Sequence, residues 1–176
     1  DKIIESPLNT LIEGAPTKPS NMQPALREYY EQIPRMGQRE RKYIMSHFGC
    51  VYNCSFCCTD VTRKAFGPKV YKEFWLERRP IENMIEEAKL LLEFDTKEVS
   101  FEDDDVLYGT HEGGDATEWL REFKDVWKKE INLPMYANVT PQTVVRATDE
   151  SLRILAELAD TVQMGVQTTG GDSSKL

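Results

Sequence analysis

Cysteine is scarce in this 176-residue sequence: there are four, and all fall between positions 50 and 58. With no cysteine elsewhere to pair across the fold, and nothing that marks secretion, disulfides are the weakest reading of these cysteines. Histidine is scarcer still, with His47 and His111 the two copies. No apolar run approaches the ~20 residues that span a bilayer, and the charged start Asp1-Lys2 lacks a signal-peptide pattern. Both absences point to a cytoplasmic, reducing location with no membrane partner. Positive charge is the minority sign, since 22 Lys and Arg face 30 Asp and Glu for a formal net charge of -8. A negative field over the whole domain disfavours phosphate backbones, so nucleic acid is not the first choice of substrate. An initiating methionine is missing too, and Asp172-Ser173-Ser174-Lys175-Leu176 follow closely on a strand-like segment. The sequence is therefore expected to be a fragment of a longer chain.

What is present is concentrated in one stretch, Gly49-Cys50-Val51-Tyr52-Asn53-Cys54-Ser55-Phe56-Cys57-Cys58. Cys50, Cys54 and Cys57 stand at C-x3-C-x2-C spacing, so three thiols can converge from a single short loop. Such convergence implies a metal site, and the ligand count separates the kinds. A closed structural zinc takes four protein ligands, usually as two separated pairs, and an ordinary all-cysteine iron-sulfur cluster also takes its ligands from protein. Cys58 is adjacent to Cys57, and neighbouring residues seldom turn toward one ion. The local geometry thus offers three ligands and one open position.

The loop closely resembles the signature of radical S-adenosylmethionine (SAM) enzymes, and its Gly-Cys-x-Tyr-Asn-Cys-Ser-Phe-Cys phrasing is most similar to the cobalamin-binding group and its methylthiotransferase-like relatives. The resemblance implies a 4Fe-4S cluster held by Cys50, Cys54 and Cys57, with SAM chelating the fourth iron and Phe56 beside its adenine. It further implies reductive cleavage of SAM to methionine and a 5'-deoxyadenosyl radical, with an electron donor such as flavodoxin or ferredoxin. Cobalamin is left open, for the longer protein. Two other readings compete. One is a zinc or iron-sulfur module, structural or electron-transferring, with His47, Cys58 or Asp60 as fourth ligand. The other is an RNA-modifying enzyme of the methylthiotransferase kind, suggested by basic and aromatic residues interleaved from Arg63 to Arg79.

Along the chain, residues 1-40 read as an extended lead-in rich in proline, with a short helix over Ala25 to Gln32, and residues 41-176 as the domain. Arg41 to Phe48 predicts a first strand with Tyr43, Ile44 and Met45 buried, so the cysteine loop lies at a strand's carboxyl end, where parallel α/β folds carry ligands. His47 is read as an orienting or core residue rather than a ligand. Thr59 to Arg79 is expected to be a long loop. Pro80 suits a helix start, and Ile81 to Phe94 predicts an amphipathic helix with Glu82, Glu86, Glu87, Lys89 and Glu93 on its solvated face.

Lys97 to Phe101 predicts a second strand, ending in Glu102-Asp103-Asp104-Asp105. Four carboxylates in a row repel one another, which costs stability unless donors, a cation or raised pKa values compensate. They could hold a hard cation or a cofactor's amino and hydroxyl groups. The resemblance favours the second and implies that Asp103 and Asp104 lie near the methionine part of SAM. Asp115 and Glu118 read as a capping box for a helix reaching Glu130, with Trp119, Leu120, Phe123, Val126 and Trp127 on its packed face. Leu133 to Val139 predicts a third strand, with Asn138 directed inward by the resemblance. A third helix starts at Thr148 or Asp149, and Thr161 to Gln167 is the fourth strand. There Gly165-Val166-Gln167-Thr168 is similar to the family's Gly-Ile/Val-Glu-Ser phrase but carries Gln167 for glutamate, an amide that can bond SAM but cannot neutralise an ammonium. The expected class is α/β, a parallel (β/α) partial barrel truncated after about four strands.

Overall fold

The computed structural model describes residues 29-64, 76-108 and 115-166. Four strands form one sheet in the order β1-β2-β3-β4, and every neighbouring pair is parallel. They are β1 (Arg41–Ile44), β2 (Glu98–Phe101), β3 (Met135–Val139) and β4 (Thr161–Met164). The helices are α1 (Tyr29–Gln32), α2 (Pro34–Gly37), α3 (Ile81–Leu91), α4 (Thr117–Glu130), α5 (Pro141–Arg146) and α6 (Asp149–Leu158). Strand order that follows chain order, with a helix in each crossover, is the parallel α/β arrangement of a partial barrel.

The core lies between the sheet and the helices. Val99 and Phe101 of β2 meet Met84 and Leu91 of α3 and Leu120, Phe123 and Trp127 of α4, all fully buried. Phe101 packs edge-on against both Phe123, at 5.2 Å between centroids, and Trp127, at 6.0 Å, and Trp127 donates its indole N–H to the Leu133 carbonyl at 3.0 Å. Fully burying a large apolar side chain contributes about 1.5–3 kcal/mol, so these seven residues anchor the second unit. Tyr30 belongs to the same core and packs edge-on against Phe94.

The opposite sheet face is polar. Arg41 bonds Glu98, its register partner, at 2.6 Å and lies over the Tyr136 ring at 4.5 Å, while the Tyr136 hydroxyl reaches Gln163 at 3.4 Å. Strand alternation puts Tyr43, Ser100 and Asn138 on this face as well.

Several expectations need correction. β1 stops at Ile44, and Tyr43 is exposed while Lys42 is buried. The Lys42 ammonium satisfies itself by donating to the carbonyls of Gly37, at 2.8 Å, and Arg39, and burial lowers its pKa. α3 starts at Ile81 as expected but ends three residues early, and Glu87 is buried because Arg79 pairs with it at 2.5 Å. Asp115 caps differently: α4 begins at Thr117, whose N–H Asp115 accepts at 3.0 Å, and Glu118 bonds Arg121 instead of closing a box. Residues 58-64 are helical rather than looped. α5 was not foreseen, although Thr140 caps it and Pro141 opens it.

Candidate active site

The cysteine loop leaves the carboxyl end of β1 through Met45-Ser46-His47-Phe48-Gly49. Gly49 has φ 96°, a backbone region that residues with a Cβ avoid, so the turn into Cys50 depends on glycine. Farther on, the Cys57 N–H donates to the Cys54 carbonyl at 3.0 Å, and the Cys57 thiol faces the Thr59 hydroxyl at 3.2 Å. None of the four cysteines is in a disulfide; Cys50, Cys54 and Cys57 are half-buried and Cys58 is exposed. Burial, reinforced by Asp104 and Asp105, pushes the Cys50 thiol up to about 11. Among the described residues no group of three or more His, Cys, Asp and Glu side chains is gathered closely enough to hold a metal ion. The loop thus brings three reduced thiols into one short span without closing them on a point. That donor set fits an iron-sulfur group, which supplies the charge that draws the thiolates together.

The base of this loop is fastened to the acidic loop after β2. Asp103 is buried, and its carboxylate accepts the N–H groups of Ser46, at 2.6 Å, and His47, at 3.4 Å, and the Ser46 hydroxyl. Burial alone would raise its pKa, but His47, Arg78 and Ser46 outweigh it and hold the carboxyl below its ordinary value. Arg78 comes from the segment before α3. Its guanidinium donates to the Ser46 hydroxyl at 2.6 Å and to the carbonyls of Val106 and Tyr108 at 2.8 and 2.5 Å, and its face lies 4.0 Å from the Trp119 ring centroid. Burial brings Arg78 down to about 10 despite the charges of Asp103 and Asp105. Arg79 adds a bond to the Met45 carbonyl at 2.9 Å.

Asp105 fastens the other side. Its carboxylate accepts the Leu107 N–H at 3.0 Å, the Thr140 N–H at 3.0 Å, the Thr140 hydroxyl at 2.8 Å and the Thr143 hydroxyl. Asn138 donates its amide to the Phe101 carbonyl at 3.2 Å and the Asp103 carbonyl at 3.4 Å. Donors therefore compensate three of the four clustered carboxylates, Glu102 accepting the Ser100 hydroxyl at 2.9 Å, while the partly desolvated Asp104 carboxyl has its pKa raised by that desolvation and by its acidic neighbours.

Of the sequence-derived candidates, Cys50, Cys54, Cys57 and an exposed Phe56 share the β1 loop, and Asp103 and Asp104 share the β2 loop bound to it. Gln167 and His111 lie outside the described residues, as does most of the basic-aromatic stretch. Ser46, Arg78, Asp105, Thr140 and Thr143 were missed as members of the site. The arginine was visible beside Pro80, and the available signal was that a run of four acids requires donors. Beside the cysteine loop a pocket of about 150 Å³ opens between Val51, Tyr52, Leu107, Tyr108, Arg146 and Thr148.

A parallel sheet with a three-thiol loop at the carboxyl end of its first strand defines a class, the α/β enzymes that carry a cofactor on the strand ends. The chain belongs to the Radical SAM superfamily, whose family model matches residues 44–172. Membership makes it an enzyme and brings a 4Fe-4S cluster and SAM in general. No curated protein matches the chain. Among the described residues no helix is long and apolar enough to cross a membrane.

Proposed function

We propose that Cys50, Cys54 and Cys57 hold the 4Fe-4S cluster of this radical SAM enzyme and that Phe56 and Asp104 meet SAM. The observation that carries the reading is the attachment of the cysteine loop to the acidic loop through Asp103 and Ser46. It fixes the thiols and the exposed Asp104 carboxylate on neighbouring strand ends. When bound, the reduced cluster and SAM supply one-electron cleavage of a carbon-sulfur bond and, through it, hydrogen abstraction from a substrate.

The protein's own residues prepare this chemistry. Cys50 is protonated in the protein alone, so metal binding releases its proton. Asp104 offers a carboxylate to the SAM ammonium, and the approach of that cation lowers its raised pKa. The exposed Phe56 ring offers an apolar face to adenine. Asp103 acts from behind, since its oxygens are already engaged by Ser46 and His47. Gln167 is assigned an amide contact to SAM by its position after β4. Residues 41-176 form the enzymatic domain, residues 1-40 lead into it with Tyr30 packed in its core, and a flavodoxin or ferredoxin supplies the electron.

The test is anaerobic iron-sulfur reconstitution followed by electron paramagnetic resonance of the reduced protein with and without SAM. A 4Fe-4S signal that changes on SAM addition is expected. Bound zinc, or a cluster spectrum indifferent to SAM, would overturn the reading.

A further inference from the structure

The pocket beside the cysteine loop holds none of the residues assigned to the cluster or to SAM. Its walls come from the carboxyl ends of three neighbouring strands: Val51 and Tyr52 follow β1, Leu107 and Tyr108 follow β2, and Arg146 and Thr148 belong to the connection after β3. Parallel α/β sheets take their ligands outside these strand ends. The volume, about 150 Å³, is that of a cavity able to admit a benzene ring. Val51 is bonded directly to Cys50, and Tyr52 stands between Cys50 and Cys54, so the pocket shares a wall with the thiol loop.

The polar groups of the lining decide what fits. The Asp115 carboxylate already accepts the Thr117 N–H at 3.0 Å, the Thr117 hydroxyl at 2.6 Å and the Thr148 hydroxyl at 3.2 Å. The Thr143 hydroxyl is engaged by Asp105 and the Thr140 carbonyl, and the Tyr52 hydroxyl bonds the Thr140 side chain. Arg146, the last residue of α5, is exposed and lines the pocket, and among the described residues it has no hydrogen bond or ion pair. Its charge nevertheless reaches the Tyr52 hydroxyl. In a chain of net charge -8, the described lining thus combines apolar and aromatic walls with one uncommitted cation. A guanidinium is a planar fork of donors matched to a carboxylate or a phosphate, and the apolar walls favour a body that gains by leaving water.

We infer that this pocket is a substrate subsite for an anionic group, a carboxylate or phosphate borne on a flat apolar body about the size of a benzene ring, with Arg146 as its counter-charge. That the occupant is substrate rests on the cluster assignment above; the preference for an anion rests on the pocket alone. Tyr52 and Tyr108 give the body aromatic surface, and the bond from Tyr52 to Thr140 fixes one of these side chains before any ligand arrives. Tyr52 so joins the thiol loop to the end of β3, which sets the span between the anchored anion and the cluster.

The experiment follows probe binding by ligand-observed nuclear magnetic resonance in the reconstituted protein saturated with SAM, so that the SAM site is filled. The probes are benzoate, phenyl phosphate and neutral benzamide. One or both anions are expected to bind, with benzamide at least about tenfold weaker, and the tighter anion names the group. Arg146→Gln should weaken the anion by at least about tenfold, while Arg153→Gln, the same charge change at an exposed residue of α6, leaves it unaltered. Reducing the cluster should speed the relaxation of the bound probe's protons through its unpaired spin. Equal binding of all three probes, no binding of either anion, or an anion affinity untouched by Arg146→Gln overturns the inference. Binding that depends on Arg146 without faster relaxation overturns the substrate role. A protein that takes up no 4Fe-4S cluster removes the cluster assignment and the substrate role with it, while the same titration of that protein still decides the anion site.

Discussion

The carboxylate of Asp103 accepts the backbone N–H of Ser46 at 2.6 Å across 57 residues of sequence. This bond ties the loop that carries the thiols to the loop that carries Asp104, and the charge that makes it strong is balanced by Arg78.

Asp103→Asn keeps the shape and removes the charge. Breaking one side of a buried charged pair costs about 3–5 kcal/mol, and the expected result is an unfolding free energy lowered by that order at pH 7, read from the shift of the denaturant midpoint. The pH dependence has a definite sign. The folded carboxyl titrates below its ordinary value, which is near 3.9 in the unfolded chain, so its contribution is complete above about pH 4 and is lost as pH falls further. The gap between the parent and Asp103→Asn should therefore be constant from pH 7 to 5 and narrow in more acid solution. A gap that widens on acidification would refute the assignment.

Arg78→Lys is expected to be far more damaging than Arg121→Lys. Arg78 spends both terminal nitrogens and one face on Ser46, Val106, Tyr108 and Trp119, and an ammonium cannot reproduce the planar fork. Arg121 makes exposed pairs with Glu118 and Glu150, of the kind worth about 0–1 kcal/mol. Paired urea titrations measure the difference, and equal midpoints would remove Arg78 from the centre of the network.

The thiols should divide by environment. Cys58 is exposed, whereas the Cys50 thiol is pushed up to about 11. Iodoacetamide at pH 8 should alkylate Cys58 before Cys50 in the metal-free protein, with the Cys50 rate still climbing at pH 10, as peptide mass spectrometry will read. After reconstitution, alanine at 50, 54 or 57 should remove most of the bound iron, while Cys58→Ala should retain it.

Gly49→Ala places a Cβ at φ 96°. Strain of this kind is of order 1–3 kcal/mol, so the melting temperature should fall and cluster loading should fall with it. Loading that stays at the parent level would mean that the turn can relax without moving Cys50.

The pattern of four strands and three crossovers could be read from periodicity, because each amphipathic helix repeats its apolar residues at three and four, as Met84, Ala88 and Leu91 do. The metal motif could be read because C-x3-C-x2-C is local in sequence. Burial of charge was not readable. Arg79, Glu87, Asp103 and Asp105 sit in polar-looking stretches, and each is buried because a partner beyond its own turn satisfies it; Lys42 is buried on the nearby carbonyls of Gly37 and Arg39. The same reason hid the role of Asp103: its acidity suggested a ligand contact, yet its oxygens are taken by residues of the loop after β1. Thr140 and Pro141 did announce α5, but six residues are too few to show a helical period.

Because each strand pairs only with the next in the chain, the sheet can grow as the polypeptide emerges, one unit after another. The groups that secure the base of the thiol loop, Arg78 and Asp103, are synthesised 32 and 57 residues after Ser46. Until the first crossover and β2 have folded, the loop that carries the three cysteines lacks these anchors at its base. Maturation of this enzyme is thereby given an order, with sheet closure through β2 preceding productive delivery of iron and sulfide.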